Sequence, residues 1–171
     1  MTADRGRAVL LAAWRDPEVL LVTGIGSGLA RVAPGTWGSA AALAFWWLLL
    51  AEAGPVVQLA VIAITVLVGT WLTARVCRRY GVGDAPAIVV DEFAGLWLAL
   101  VAAPPGPVWL LAGFALFRLF DIWKPFPVGL ADRRVKGAFG IMLDDLLAGL
   151  LAAGVLQLSF RVLDGPLLPP G

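Results

Sequence analysis

The sequence predicts an all-α protein: a polytopic membrane helix bundle of about five apolar helices, two of them short, preceded by N-terminal interfacial helices. Three observations carry this expectation. The chain of 171 residues is 60% hydrophobic and only 15% charged, and its mean hydropathy of +0.88 lies well outside the usual range of soluble globular domains. Its apolar residues gather in long runs rather than in the alternation of half-buried strands. Gly- and Pro-rich turn signals fall between those runs.

Residues 1–35 contain "GRAVLLAAWR" and "PEVLLVTGIGSG", which read equally as one or two interfacial helices or as a partly buried cap on the bundle. The first apolar run, Ala8–Trp14, is only seven residues and lacks a convincing cleavage site, so no cleavable signal peptide is expected. Five longer segments follow: Trp37–Ala53, Val56–Ala74, Phe93–Ala103, Pro107–Phe120 and Leu146–Leu163. A helix needs about 20 apolar residues to cross a bilayer, so the first, second and fifth qualify alone. The third and fourth cross only by extending into flanking residues such as "APAIVV" before Asp91, which would draw Asp91 and Glu92 to or below the membrane surface. "AEAGP" divides the first pair of segments and "APPGP" the third from the fourth. No linker or low-complexity stretch interrupts residues 1–171, which read as a single domain.

Short turns make neighbouring helices antiparallel, so one orientation fixes every end. Under that scheme all of the 13 Lys and Arg residues except Arg161 fall on one side, and the positive-inside rule makes that side cytoplasmic. A net charge of +1 argues against nucleic acid as a partner. The chain has one cysteine, Cys77, and no histidine. These counts exclude an internal disulfide, phosphohistidine chemistry and most zinc or copper sites. Chemistry must therefore rest on carboxylates, hydroxyls, Arg and Lys.

The same topology places Asp91, Glu92, Asp121, Asp144 and Asp145 at one level of the membrane: the first two begin the third segment, Asp121 ends the fourth, and the last pair begins the fifth. Acids at helix N-termini complement the macrodipole by about 0.3 to 1 kcal/mol, which would account for Asp91 or Asp144 alone. Asp121 sits at a C-terminus, where the dipole opposes it, and needs a cation: Arg118, Lys124 or a metal. Ionisable groups at membrane depth are costly and mark function. All-oxygen ligands favour a hard cation such as Mg²⁺, and the acids would repel one another without one.

A weak internal repeat supports convergence. Asp91-x-x-Ala94-Gly95-Leu96-x-x-Ala99 matches Asp145-x-x-Ala148-Gly149-Leu150-x-x-Ala153. Small residues three and four positions beyond each acid share its helical face and permit close approach, so packing these faces together would bring the carboxylates together.

"FRLFDIWKPFP" puts Arg118 three residues from Asp121, on one face, and Lys124 at the helix exit. Arg forks onto phosphate oxygens, whereas Lys acts as a point charge; both also fit topogenic, snorkelling roles. "GIGSGLARVAPGTWGS" supplies Ser27, Gly28, Thr36 and Ser39, with backbone able to nest an anion, and Thr36 is placed to cap the first membrane helix. It carries neither a Walker pattern nor a spaced dinucleotide fingerprint. "DRRVKGAFG" reads either as a flap over a charged headgroup or as a solvated loop.

Together "GSGLARVAPGTWGS", "IVVDEFAG", "FRLFDIWKPFP" and "GAFGIMLDDLLAG" resemble the phosphatidylglycerophosphatase A family, over about residues 20 to 160 and in the family's order. The resemblance implies a Mg²⁺-dependent hydrolase of the bacterial inner membrane, multi-pass, with its active site on the cytoplasmic face. Such an enzyme removes the terminal phosphate of the lipid phosphatidylglycerophosphate to leave phosphatidylglycerol. The family's acidic positions map onto Asp91, Glu92, Asp121, Asp144 and Asp145, and its basic ones onto Arg118 and Lys124. One departure is visible: Gly137-Ala138-Phe139-Gly140 stands where the family usually reads Gly-Gly-x-Gly. Rival readings are a cation pathway, which would put the acids at mid-membrane depth, and a scaffold without chemistry.

Overall fold

Every element of the computed structural model, which describes residues 12–83, 85–101, 103 and 106–163, is helical. Among the described residues, seven α-helices run in the order α1 Pro17–Val22, α2 Pro34–Phe45, α3 Pro55–Tyr80, α4 Val90–Leu100, α5 Pro107–Trp123, α6 Val128–Arg134 and α7 Gly137–Leu163. A 3₁₀ turn, Ser27–Leu29, precedes α2, and a π-helical turn, Trp46–Leu50, extends it. The first six residues of "GRAVLLAAWR", Arg7 among them, lie outside the described residues, as do Arg5 and the two central prolines of "APPGP".

Proline at the first helical position opens α1, α2, α3 and α5, where its missing N–H costs nothing and its fixed φ suits the helix. Gly81, at φ +63, closes α3 as a left-handed cap. Lys124 does the same for α5 at φ +49, and that bend turns the chain through a cis Phe126–Pro127 bond into α6.

Of these helices, α3 and α7 are long and apolar enough to cross a bilayer, with 26 and 27 residues and mean hydropathies of 2.1 and 1.9 over their most apolar stretches. Their outward faces are apolar too: Val56, Leu67 and Trp71 on α3 and Leu158 and Val162 on α7 are exposed, a distribution that suits lipid rather than water. The remaining helices are too short to qualify in this way, α5 reaching 17 residues and α4 only 11. The first apolar segment is a 12-residue α-helix followed by the π turn. The "APAIVV" stretch does not extend α4, which begins at Val90 and spans 11 residues, about 16 Å at 1.5 Å per residue. A five-span bundle is therefore not established by helix length.

Instead of spanning, α4 is the buried centre. Asp91 to Trp97, Ala99 and Leu100 are all buried, flanked by α2, α3, α5 and α7. Its closest neighbour is α7, and the reason is glycine. A Cβ added to Gly149 would lie 2.2 Å from the Gly95 carbonyl oxygen, and one added to Gly95 would lie 2.6 Å from that of Asp145. Ala94 and Ala148 are fully buried in the same crossing. The repeated Asp-x-x-Ala-Gly pattern thus packs against its own copy. A core of Trp46, Phe93, Leu96, Trp97, Leu100 and Phe117 fills the space around it; the Trp97 indole N–H donates to the Ala42 carbonyl oxygen at 2.8 Å.

At the periphery, α1 is a cap rather than a free interfacial helix. Asp16 accepts from the Glu18 N–H at 2.9 Å to start it, Val19 and Val22 are fully buried in a cluster with Leu72 and Val76 of α3, and Glu18 pairs with Arg75 at 2.9 Å and Arg79 at 2.8 Å.

Candidate active site

The N-termini of α2, α4 and α7 and the C-termini of α3 and α5 meet at one end of the bundle. There a cavity of about 220 Å³ is lined by Asp91, Glu92, Asp121, Asp144, Asp145 and Lys124, with Pro34, Gly35, Pro86, Ile88 and Ile141 completing its wall. All five sequence-derived acids therefore converge, although they come from three different helices. Asp91 and Glu92 occupy the first turn of α4, and Asp121 the last turn of α5. Asp144 and Asp145 do not begin a helix: α7 starts at Gly137, so they lie in its third turn, beyond the reach of N-terminal capping. Capping cannot account for them.

Neighbouring carboxylates are sorted by the cations. The Arg118 guanidinium donates through one nitrogen, Nη1, to Glu92 Oε2 at 2.6 Å and pairs with Asp121 Oδ2 at 2.7 Å. The cation that Asp121 requires at a helix C-terminus is thus Arg118, one turn earlier on the same face. Ser39 joins the pair: its hydroxyl lies 2.7 Å from Glu92 Oε2 and 2.9 Å from the Gly35 carbonyl oxygen, and Arg118 reaches its Oγ at 3.3 Å. Gly35 makes room, because a Cβ there would fall 2.2 Å from Glu92 Oε1.

Lys124 holds the other side. Its ammonium donates to Asp144 Oδ2 and Asp132 Oδ1, each at 2.6 Å. Burial alone would lower the Lys124 pKa, but the hydrogen bonds to Asp132 and Asp144 outweigh it and raise it above the ordinary lysine value. The hydrogen bond from Lys124 in turn holds Asp132 below the ordinary aspartate range.

Asp145 is different. It is 4% exposed, and four carboxylates, those of Asp91, Glu92, Asp121 and Asp144, act on it beside the Arg118 guanidinium; its Oδ2 is buried without a hydrogen-bond partner. Five carboxylates against Arg118 and Lys124 leave a formal excess of three negative charges in one small cavity. Burying such an excess is strongly unfavourable without a further cation. The donor set is entirely oxygen, as a hard divalent ion requires. Among the described residues, no group of three or more Asp, Glu, Cys or His side chains is placed to hold a metal ion, so an ion here would be held by at most two carboxylates and take the rest of its shell from water and substrate oxygens.

The glycine-rich stretch is divided by the fold. Ser39 lies in the site. Ser27 Oγ donates to the Gly24 carbonyl oxygen at 2.9 Å, and Gly28 packs beneath Val89 and the Ala87 carbonyl oxygen; neither lines the cavity. Thr36 is not the cap of α2, which begins at Pro34 after Ala33 in a left-handed conformation with no side-chain cap. Asp132 and Gly35 lie in stretches the sequence marks only as a flap or solvated loop and as a glycine-rich approach, and neither is singled out there as a site residue. Gly35 carried a signal, since it stands four residues before Ser39 on one helical face; Asp132 carried none.

A helical protein that gathers carboxylates, a guanidinium and an ammonium around one cavity beside apolar spans has the parts of a lipid phosphomonoesterase, and its relatives are of that class. The family model described as phosphatidylglycerophosphatase A matches residues 20–160, and the chain belongs to that family. It is 42% identical over 142 residues to the phosphatidylglycerophosphatase A of Escherichia coli K12, covering 82% of each chain. It is 44% identical over 138 residues to that of Haemophilus influenzae, covering 80% of this chain and 85% of the relative. A Bacteroides thetaiotaomicron protein, named as a proposed phosphatidylinositol-3-phosphatase, is 38% identical over 138 residues, or 77% of this chain and 86% of the relative. No solved structure matches the chain.

Proposed function

We propose that the protein hydrolyses the terminal phosphate monoester of phosphatidylglycerophosphate, giving phosphatidylglycerol and inorganic phosphate, in a Mg²⁺-dependent reaction at the cytoplasmic face of the bacterial inner membrane. The observation that carries the reading is Asp145: a buried carboxylate packed against the Asp91 helix, in a cavity whose other walls carry Arg118-bound and Lys124-bound acids. Family membership supplies the lipid phosphate as substrate class.

In this reading Asp91 and Asp145, facing each other across the α4–α7 crossing, hold the divalent ion, with Glu92, Asp121 and Asp144 positioned by Arg118 and Lys124. Bound Mg²⁺ would supply charge neutralisation for the phosphate oxygens and favour a nucleophilic water. The chain's own groups do the rest. Arg118 and Lys124, already desolvated and oriented by carboxylates, exchange part of those contacts for phosphate oxygens and stabilise their equatorial charge. One of the remaining carboxylates takes the proton of the attacking water. Water oxygen bonds to phosphorus in line, the phosphorus–ester oxygen bond breaks, and the glycerol alkoxide leaves as the alcohol with the proton that the carboxyl group took from the water. Attack by an aspartate through an acyl phosphate is the second route. Ser39 orients Glu92 and Arg118; Ser27, Gly28 and Thr36 would act only through the shape of the α2 approach.

Topology supports the membrane placement. The site end carries Arg75, Arg78, Arg79, Arg133, Arg134 and Lys136, so the positive-inside rule makes it cytoplasmic. With α3 and α7 crossing and α2, α4 and α5 filling the bundle beside them, the cavity sits at headgroup level while acyl chains stay in the bilayer.

The test is phosphate release from purified phosphatidylglycerophosphate in mixed micelles, with Mg²⁺ and with a chelator. Release that stops on chelation and returns with Mg²⁺ is expected; absence of release from this lipid in Mg²⁺ would overturn the assignment.

A further inference from the structure

A second cavity, of about 350 Å³, opens on the far side of Asp144. Its walls come from the end of α3 at Cys77, the following loop at Val82, and the α6–α7 junction at Val135, Lys136 and Ala138. Ile141 and Asp144 line both cavities, so the two share a wall. Asp144 is 7% exposed; Lys124 holds its Oδ2 at 2.6 Å, and its Oδ1 is buried without a hydrogen-bond partner. Across the space, the Lys136 ammonium donates to the Asp132 main-chain carbonyl oxygen at 2.8 Å. That acceptor is neutral and an ammonium has three N–H donors, so donors remain for a ligand, although the Asp132 carboxylate, which also lines the cavity, shares in the Lys136 charge. The second cavity therefore offers an exposed cation, a buried acceptor and partly apolar walls.

The substrate of the proposed reaction has matching parts. Its monoester phosphate is joined through a glycerol unit to an internal phosphodiester, and seating the monoester beside Arg118 and Lys124 leaves that second anionic arm to be placed. Resting on that reading of the reaction, we propose that the second cavity binds the glycerol–phosphodiester arm of the headgroup, with Lys136 pairing the phosphodiester oxygen and Asp144 Oδ1 accepting from the glycerol hydroxyl. This makes the α6–α7 junction the headgroup-selecting element. A lipid phosphate monoester lacking the second phosphate, such as phosphatidic acid, gains nothing from Lys136.

The experiment compares phosphatidylglycerophosphate with phosphatidic acid in mixed micelles, for the wild type, Lys136→Gln, Lys136→Arg and Ala138→Leu. Lys136→Gln is expected to raise KM for phosphatidylglycerophosphate about tenfold, the loss of one charge-assisted contact, with kcat within about twofold. Lys136→Arg restores KM, Ala138→Leu raises it by filling the cavity, and the parameters for phosphatidic acid do not move. Inhibition by phosphatidylglycerol, which carries the phosphodiester arm without the monoester, weakens in Lys136→Gln by the same factor. An unchanged KM and unchanged inhibition in Lys136→Gln, or equal losses on both lipids, would overturn the proposal while leaving the reaction intact. If the wild type releases no phosphate from phosphatidylglycerophosphate, the reading of the reaction falls, and this subsite with it.

Discussion

Gly149 of α7 lies directly against the main chain of Gly95 in α4, so close that a Cβ on Gly149 would come within 2.2 Å of the Gly95 carbonyl oxygen. Each glycine stands four residues beyond an acid of the site, Asp91 on one helix and Asp145 on the other. The distance between the carboxylates is thus set by a contact in which side chains take no part.

Enlarging that contact should separate the helices and the acids together. Gly149→Ala is expected to cost about 1 to 3 kcal/mol through overpacking and to lower phosphate release at least tenfold. Gly154→Ala, further along the same helix and with nothing within 4 Å of an added Cβ, should be neutral or stabilising by up to about 1 kcal/mol. Thermal unfolding in detergent beside activity measures both; equal behaviour of the two variants would refute the packing argument.

At Gly35 the obstruction is a side chain instead of a backbone. Its added Cβ meets Glu92 Oε1 at 2.2 Å, and a carboxylate can swing away where a carbonyl cannot. Gly35→Ala is therefore expected to fold with a melting temperature close to wild type but to lose activity by an order of magnitude or more, because Glu92 leaves Ser39 and Arg118. Retained turnover in this variant would show that the Glu92 position is irrelevant to the reaction.

Arg118 bridges Glu92 and Asp121 with one guanidinium nitrogen. Lysine at this site keeps the charge but loses the planar fork, so Arg118→Lys should retain the fold and lose about 100-fold in kcat. Arg118→Ala leaves two mostly buried acids unpaired, and a stability loss of about 3 to 5 kcal/mol is expected. Steady-state kinetics of the first variant and denaturation of the second check the separate roles.

The Lys124–Asp132 tether has a pH signature. Asp132 is held below its ordinary value by the Lys124 hydrogen bond, so its contribution is present in full above the unfolded aspartate pKa, about 3.9, and is lost as pH falls through the lower folded value. The gap in unfolding temperature between wild type and Asp132→Asn should be constant from about pH 7 to 5 and shrink below about pH 4. A gap that instead widened on acidification would reverse the sign and contradict the pairing.

Much of this site was legible in the sequence because its logic is helical. The Asp-x-x-Ala-Gly repeat announces an α4–α7 crossing through periodicity alone, and the three-residue spacing of Arg118 and Asp121 gives their ion pair. Helix limits were less legible. Reading α7 from its apolar run starts it at Leu146, whereas the helix begins at Gly137 and carries Asp144 and Asp145 inside it; backbone hydrogen bonding is indifferent to charges that tertiary partners satisfy. The glycine-rich stretch misled for the opposite reason. Ser27 and Gly28 are committed to local bonding and to packing under Val89, a long-range contact without a local signal. Asp132 belongs to the site only because a left-handed turn at Lys124 folds α6 back toward α7, and no spacing rule encodes that.

The central claim is that buried acids on α4 and α7 share one divalent ion. The most direct measurement is Mg²⁺ activation of phosphatidylglycerophosphate hydrolysis by the wild type and by Asp145→Asn, a variant that removes a charge from an anionic cavity and should fold at least as stably. The account predicts saturable activation of the wild type, no activity with chelator, and a loss of at least about 100-fold in Asp145→Asn that added Mg²⁺ does not restore. Full hydrolysis by wild type in chelator, or wild-type turnover and Mg²⁺ dependence in Asp145→Asn, would contradict it.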